Sequence, residues 1–525
     1  MNSELLKQSP WFDADWYCDQ YPDVRLLDMA PEEHYLLFGE SQGRQPGPTF
    51  APKWYLAKYP DVAQAGVSPL LHFIVHGEQE GRLPCSLETE MWEAALWRQE
   101  KPTEVCLKVL QTLLENGGLS EASWAGFALG RWHACQNEWA AAGAWLARRP
   151  TGKGTLPNHS GPALLTVEAF GRSGQLVEAW QAQAALQKQA PEWADTRLAE
   201  SNLLAWQAEA HPEVSADQRG EWQRQRLMWI NSVWNRHSLT EVELADPTAP
   251  LSLDNLTTNR SPVATHFSPL ITVIVPAFKA ANTLPTALHG LASQRGVNLE
   301  VIVVDDTSPD DTAEVAEAFA EGDARFRVIR QSHNQGAYVA RNRGLSEARG
   351  EYITVHDSDD WSHPDKLATQ LAGLQTHPEW QACCSHWVRC SPELVFTVWR
   401  MDTGWTYRNV SSLMFRRQVF EALGYWDRVR VEADTEYYYR IRAAFGDQAI
   451  GEVLPKVPLA FGRVAADSLT SVGTTHLVSQ YSGVRADYRE ASQAWHRANA
   501  GRPERLYLPA EPGERPFAVP VAMLP

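Results

Sequence analysis

Apolar residues follow two regimes along this chain. From residue 269 they come in short unbroken runs at 270–275, 299–304, 326–329 and 351–355, rich in Val and Ile. Runs of that length, bounded by turn residues, mark strands buried on both faces. Between them, 283–291, 312–319 and 336–348 carry helical patterns. Strand–helix alternation at this spacing predicts an α/β domain with a mainly parallel sheet. Before residue 245 the pattern is helical, rich in Ala, Leu, Trp, Glu and Gln. An all-α half therefore precedes the sheet.

The chain opens on a repeat. Trp16–Tyr17, Tyr21–Pro22–Asp23–Val24, His34–Tyr35, Gly39 and Gly43–Arg44 recur 38 residues later as Trp54–Tyr55, Tyr59–Pro60–Asp61–Val62, His72–Phe73, Gly77 and Gly81–Arg82. Each copy reads as an aromatic helix, a Pro-Asp turn and a second helix, with Gly43 and Gly81 as C-caps. Mutual burial of the aromatics explains them; docking of carbohydrate or protein is the other reading. Further on, residues 136–142 are echoed by 173–179, near the period of helix-pair solenoids. That segment resembles degenerate tetratricopeptide-type repeats. The expected domains are a two-copy module at 1–90, a helical-repeat domain at 91–245, a linker at 246–268, the α/β domain at 269–480, and a C-terminal helix with a Pro-rich tail at 481–525.

Composition narrows the partners. At 525 residues the chain is too long for one ordinary core. A formal net charge of -17 argues against a nucleic-acid duplex. The 22 Trp and 15 Tyr supply rings that pack cores or stack on sugars. The odd count of seven scattered Cys fits free thiols in a reducing compartment. The first residues lack a basic-then-apolar leader, and no 18-residue apolar run occurs. The expected location is cytoplasmic, with peripheral contact at the inner membrane face left open. The helical half is a candidate dimer surface.

Acidic residues carry the chemistry. Asp305 and Asp306 end the second strand, and Asp357–Ser358–Asp359 follow the fourth. Carboxylates at the carboxyl ends of neighbouring parallel strands meet in one crevice. Asp305 can accept a hydrogen bond from a nucleobase, with Pro276 and Phe278 beside it. Asp357 and Asp359 suit Mg2+ or Mn2+ together with diphosphate oxygens. Arg341, in the helix after Gly336, can reach a phosphate or a metal-bound carboxylate. Asp434, in the first turn of a helix, can take a proton from an acceptor hydroxyl. Glu432 or Glu436 can replace it if the placement is off by a residue or two. His386, Trp387, Trp399, Trp405 and Tyr407 lie between the two acidic groups and can shape an acceptor pocket. Arg463, Asp467 and Ser468 suit a loop closing over a donor.

Those stretches resemble family 2 glycosyltransferases. The resemblance rests on Ile274–Val275–Pro276–Ala277–Phe278, on Val303–Val304–Asp305–Asp306, on Asn334–Gln335–Gly336 with Ala340–Arg341–Asn342, and on His356–Asp357–Ser358–Asp359–Asp360. It implies a GT-A fold, a Rossmann-like mixed sheet built to bind a nucleotide-diphosphate sugar. It implies inverting transfer, usually with Mn2+ or Mg2+, and a UDP-sugar is the first choice of donor. By the same resemblance Asp305 and Asp306 serve the base end, and Asp357, Ser358 and Asp359 serve ribose, diphosphate and metal. Asp434 is the implied base, with Glu432 beside it; Ala433 interrupts the family's usual Glu-Asp pair. The 38-residue repeats resemble modules attached to bacterial polysaccharide glycosyltransferases. The implied acceptor is a glycan, a lipid-linked glycan or a protein, in surface polysaccharide or lipopolysaccharide synthesis. A non-catalytic sugar-nucleotide scaffold is the rival reading. An oxidoreductase is disfavoured because no GxGxxG turn follows the first strand.

Overall fold

A computed structural model describes residues 2–27, 29–78, 80, 82–152, 155–258, 268–464, 475–511 and 513–525. The chain divides into two compact units, one of residues 1–189 with 400–403, the other of residues 190–399 with 404–525.

In the first unit the two repeat copies build the same network twice. Helices Ala14–Gln20 and Pro52–Lys58 open the copies, and Pro31–His34 and Pro69–His72 run on into single π-helical turns ending at Gly39 and Gly77. The Tyr17 hydroxyl meets His34 Nδ1 at 3.0 Å, and Tyr55 meets His72 Nδ1 at 3.0 Å. Arg44 forks onto Asp23 at 2.7 and 3.0 Å, and Arg82 onto Asp61 at 2.7 and 3.0 Å. Each guanidinium also covers a ring, Tyr21 at 4.7 Å and Tyr59 at 4.9 Å. The repeated residues are thus the ones that hold two short hairpins shut, and Tyr17, Tyr35, Tyr55 and Phe73 are fully buried. Gly43 adopts φ +68°, as a C-cap requires, while Gly81 lies outside the described residues.

A Cβ at Gly39 would overlap the Tyr17 hydroxyl, and one at Gly77 the Tyr55 hydroxyl. Gly39→Ala is therefore expected to lower stability by ~1–3 kcal/mol, the usual cost of overfilling a packed site. A denaturant titration that leaves the midpoint unmoved would contradict this account of the repeat. Beyond the module, six helices from Glu88–Trp97 to Leu176–Gln189 pack each on the next.

The second unit begins with helices Ala194–Ala210 and Ala216–Asn235, which pack on each other. Its main sheet has seven strands: β1 (Leu270–Ala277), β2 (Asn298–Asp305), β3 (Phe326–Arg330), β4 (Tyr352–Val355), β5 (Ala382–Cys384), β6 (Met414–Arg416) and β7 (Ile450–Glu452). Their order is β7-β5-β6-β4-β1-β2-β3. Strands β4, β1, β2 and β3 run parallel, whereas β6 is antiparallel to both neighbours, so the sheet is mixed. The unbroken apolar runs are explained by burial: seven successive residues of β1 and of β2 are buried. Helices α1 (Leu284–Ala292), α2 (Thr312–Gly322) and α3 (Ala337–Glu347) connect the parallel strands. Helix α3 lies so close to β1 that a Cβ at Gly344 would come 2.5 Å from Ile274 Cγ2.

A second, five-stranded sheet joins Phe396–Thr397, His386–Cys390, Pro458–Arg463 and Trp361–Ser362, with Tyr407–Arg408 paired to His386–Cys390. The Pro- and Asn-rich stretch ahead of β1 is ordered between Glu243–Leu244 and Leu256–Thr257, which pair antiparallel. Helices α4 (Ala433–Phe445) and α5 (Val484–Ala498) pack together, and the Pro-rich tail folds back so that Met523 is fully buried. All seven cysteines are free thiols.

Candidate active site

Strand register brings the first two motifs together, since Ala277 at the end of β1 pairs with Asp305 at the end of β2. Asp305 is buried and accepts only the Ser308 N–H, at 3.3 Å to each oxygen, among the described residues. Its neighbour Asp306 faces the loop before α3. There it accepts Gln331 Nε2 at 2.6 Å, Gln335 N at 2.9 Å and Gly336 N at 2.7 Å. Those bonds hold Gly336 at φ +90°, which sets the entry to α3. Ser308, Asp310 and Thr312 do more than start a helix. They accept the backbone N–H groups of Lys279, Ala281 and Ala280 at 3.1, 3.3 and 2.8 Å, and so fix the loop after Pro276. On that loop Phe278 is 44% exposed, with the Lys279 ammonium 5.4 Å from its ring centre.

The acidic turn Asp357–Ser358–Asp359 follows β4 and is half-buried throughout. Asp357 Oδ1 accepts from Arg341 Nη2 at 2.6 Å. The Asp359 carboxyl is pushed up to about 6, first by burial and then by the charge of Asp357. Asp360 is raised well above the carboxylate range by burial, then by Asp359 and Asp357. Lys366 is pulled down to about 8 by burial, against the attraction of Asp360 and Asp357. Arg463, expected in a closing loop, is instead the last residue of its strand and braces this turn. Its backbone N–H donates to Asp360 Oδ1 at 3.0 Å, its Nε donates to the Asp359 carbonyl at 3.0 Å, and its guanidinium pairs with Asp254. Asp467 and Ser468 lie outside the described residues.

The third motif meets the second through α3. Asp434 Oδ1 accepts the Tyr338 hydroxyl at 2.9 Å and its neighbour's backbone N–H, Thr435, at 2.8 Å; Oδ2 accepts Ser411 Oγ at 3.2 Å. The Arg341 guanidinium covers the Tyr338 ring at 4.8 Å. A continuous chain therefore runs Asp357–Arg341–Tyr338–Asp434. Asn342 pins α3 to the segment before α4 by a paired bond with the Trp426 backbone, at 2.8 and 3.0 Å. The other acids near Asp434 are engaged. Glu432, at φ +73°, sits between Arg485 at 2.8 Å and Arg489 at 3.1 Å. Glu436 is held by Arg440 at 3.0 Å and His496 at 2.8 Å.

Of the aromatic candidates, Trp405 is fully buried, while Tyr407 is 36% exposed. Tyr407 stands edge-on to Trp387, 5.7 Å away on the paired strand. His386 is bonded to Glu452 at 2.7 Å, and Trp399 lies against His476 at 5.7 Å. Tyr338, Ser411 and Asp254 were not singled out by sequence reasoning, and Asp360 was named in its motif without a role. Tyr338 had a signal, since it precedes Arg341 by three residues and so shares its helix face. Ser411 and Asp254 had none.

A model of the family described as "Glycosyl transferase family 2" matches residues 272–426, stopping short of Asp434. The glycosyltransferase GlyG of Streptococcus pneumoniae is 43% identical over 108 residues, 21% of this chain and 36% of GlyG. The succinoglycan biosynthesis protein ExoO of Rhizobium meliloti is 41% identical over 111 residues, 21% of this chain and 31% of ExoO. The chain thus spans about a third of the length of these curated relatives. The crystal structure of Staphylococcus aureus TarS 1–349 with UDP-GlcNAc aligns at a TM-score of 0.33 and 19% identity, over 39% of this chain and 61% of that one. The segment that matches the glycosyl transferase family 2 model, residues 272–426, is thus the one that carries the parallel half of the mixed sheet, the acidic pair and the acidic turn.

Proposed function

We infer that this chain is an inverting glycosyltransferase that moves a sugar from a nucleotide-diphosphate sugar to a hydroxyl acceptor. The observation that supports the reading is the side-chain chain Asp357–Arg341–Tyr338–Asp434, which links the acidic turn after β4 to the candidate base. Asp305 keeps lone pairs for a base N–H, and exposed Phe278 is a wall for the base. Arg341 is 4% exposed, and its Nε and Nη1 have no partner among the described residues. A diphosphate is the anion that would use those donors.

The acidic turn fits a hard divalent cation, because Asp357 and Asp359 are neighbouring oxygen donors, and burial, then the charge of Asp357, raises Asp359. No cluster of three or more His, Cys, Asp or Glu side chains with metal-holding geometry occurs among the described residues, so phosphate oxygens and water would complete the shell. Mn2+ or Mg2+ bound there would offset charge growing on the leaving diphosphate. Asp434 takes the proton of the attacking hydroxyl, and no protein nucleophile is needed, so the anomeric centre inverts.

By likeness to relatives such as ExoO, the acceptor is a growing surface polysaccharide. No helix among the described residues is long and apolar enough to cross a membrane, and a peripheral encounter with a lipid-linked acceptor is part of the proposal. A panel of nucleotide-sugars with Mn2+, read by nucleoside-diphosphate release, tests the activity. Release from one donor that rises with a glycan acceptor is the expected result. Binding without turnover for every donor would leave the scaffold reading standing, and stimulation by a protein alone would replace the glycan.

A further inference from the structure

We propose that Tyr338 is a positioning residue that fixes the carboxylate of Asp434 and thereby assigns Oδ2 as the proton-accepting oxygen. This rests on the reading of Asp434 as the base. Asp434 Oδ1 already accepts two bonds, from the Tyr338 hydroxyl at 2.9 Å and from Thr435 N at 2.8 Å. Oδ2 accepts one longer bond, 3.2 Å from Ser411 Oγ, and so keeps room for an incoming hydroxyl. A carboxylate on a helix's first turn can rotate about its χ2 angle, which has a broad, roughly two-fold profile. Two bonds to the same oxygen stop that rotation.

Tyr338 itself cannot swing away. It is 6% exposed, belongs to the apolar cluster that contains Ile274, Ile302 and Val304, and lies under the Arg341 guanidinium. Burial and the nearby Asp434 charge raise its phenol well above the usual range, so it stays a donor wherever the protein is folded. Arg341 feels the charge of both Asp357 and Asp434. Without the phenol, the Arg341 guanidinium, which already feels the Asp434 charge, could draw that carboxylate out of its catalytic orientation. The tyrosine, which shares one face of α3 with Arg341, therefore stands between that arginine on the leaving-group side and the base on α4.

The test is a double-mutant cycle in the full chain with the best donor and acceptor. Tyr338→Phe keeps the ring and its packing and removes only the hydroxyl. It is expected to lower kcat about tenfold, the scale of one hydrogen bond to a charged group, with donor KM within about twofold. In an Asp434→Asn background the same change is expected to alter kcat by less than about twofold, because both act through one group. Full independent effects in the cycle would overturn the proposal, as would an unchanged kcat in Tyr338→Phe when Asp434→Asn is inactive. If Asp434→Asn remains active, the base assignment itself falls, a separate outcome. Unaltered melting of Tyr338→Phe guards against a folding defect.

Discussion

Asp434→Asn is expected to lower kcat about a thousandfold while donor binding and melting temperature stay near wild type, the range general-base removal commonly produces. Asn is nearly isosteric. Its carbonyl can still accept the Tyr338 hydroxyl and Thr435 N–H, and its amide can donate to Ser411, so the bonds now made to Asp434 survive in kind. Only the ability to take a proton is lost. Glu432→Gln should behave in the opposite way. Its carboxylate lies between Arg485 and Arg489, and breaking a buried pair from one side costs on the order of 3 kcal/mol. Glu432→Gln is therefore expected to melt earlier but retain turnover at low temperature. Kinetics and calorimetry on the two variants separate base from brace. A thousandfold loss in Glu432→Gln, with Asp434→Asn active, would exchange the two assignments.

The second large effect is at Asp359. Asp359→Asn should reduce kcat/KM about a thousandfold and weaken Mn2+ binding at least tenfold, measured by titration followed by EPR, as expected when a metal clamp on the leaving group is lost. The same change should not weaken the metal-free fold at neutral pH. The Asp359 carboxyl is raised from 3.8 to about 6 in the folded chain, so the folded state binds its proton more tightly than the unfolded state does. Stability from this group is thus full below about pH 4 and falls as pH rises towards 6. Above that window the ionised carboxylate costs up to ~3 kcal/mol against burial and Asp357. In EDTA at pH 8, Asp359→Asn should melt at or above the wild-type temperature. A lower melting temperature there would show that the carboxylate is held by favourable contacts, and the metal reading of the acidic turn would lose its physical basis.

Much of this site was readable beforehand, for an identifiable reason. Asp305, Asp357 and Asp359 sit at the ends of apolar runs, and a run buried on both faces can hardly be anything but an inner parallel strand. Its carboxyl end then has one place to go. The four parallel strands and their helices were accordingly expected within three residues of where they lie. Strands of two or three residues, such as Trp361–Ser362 and Tyr407–Arg408, carry too few positions for any period to show. The five-stranded sheet and the antiparallel β6 followed from no local pattern. The acids around residue 434 show the same limit from the side of chemistry. Three carboxylates within five positions have equal local claims to the base, and sequence spacing does not reveal which ones meet arginines 50 to 60 residues away.

By itself, then, the amino-acid order determined the class of the sheet, the strand ends that carry carboxylates, and the twofold aromatic module. Each is set by local burial or by an exact repeat of residue types. Folding in three dimensions decided the pairings: Glu432 with Arg485 and Arg489, Asp306 with the loop before α3, Arg463 with the acidic turn, and Tyr338 between Arg341 and Asp434. The physical reason is that a charged side chain's role depends on which partners and how much water surround it, and both come from elements distant in the chain.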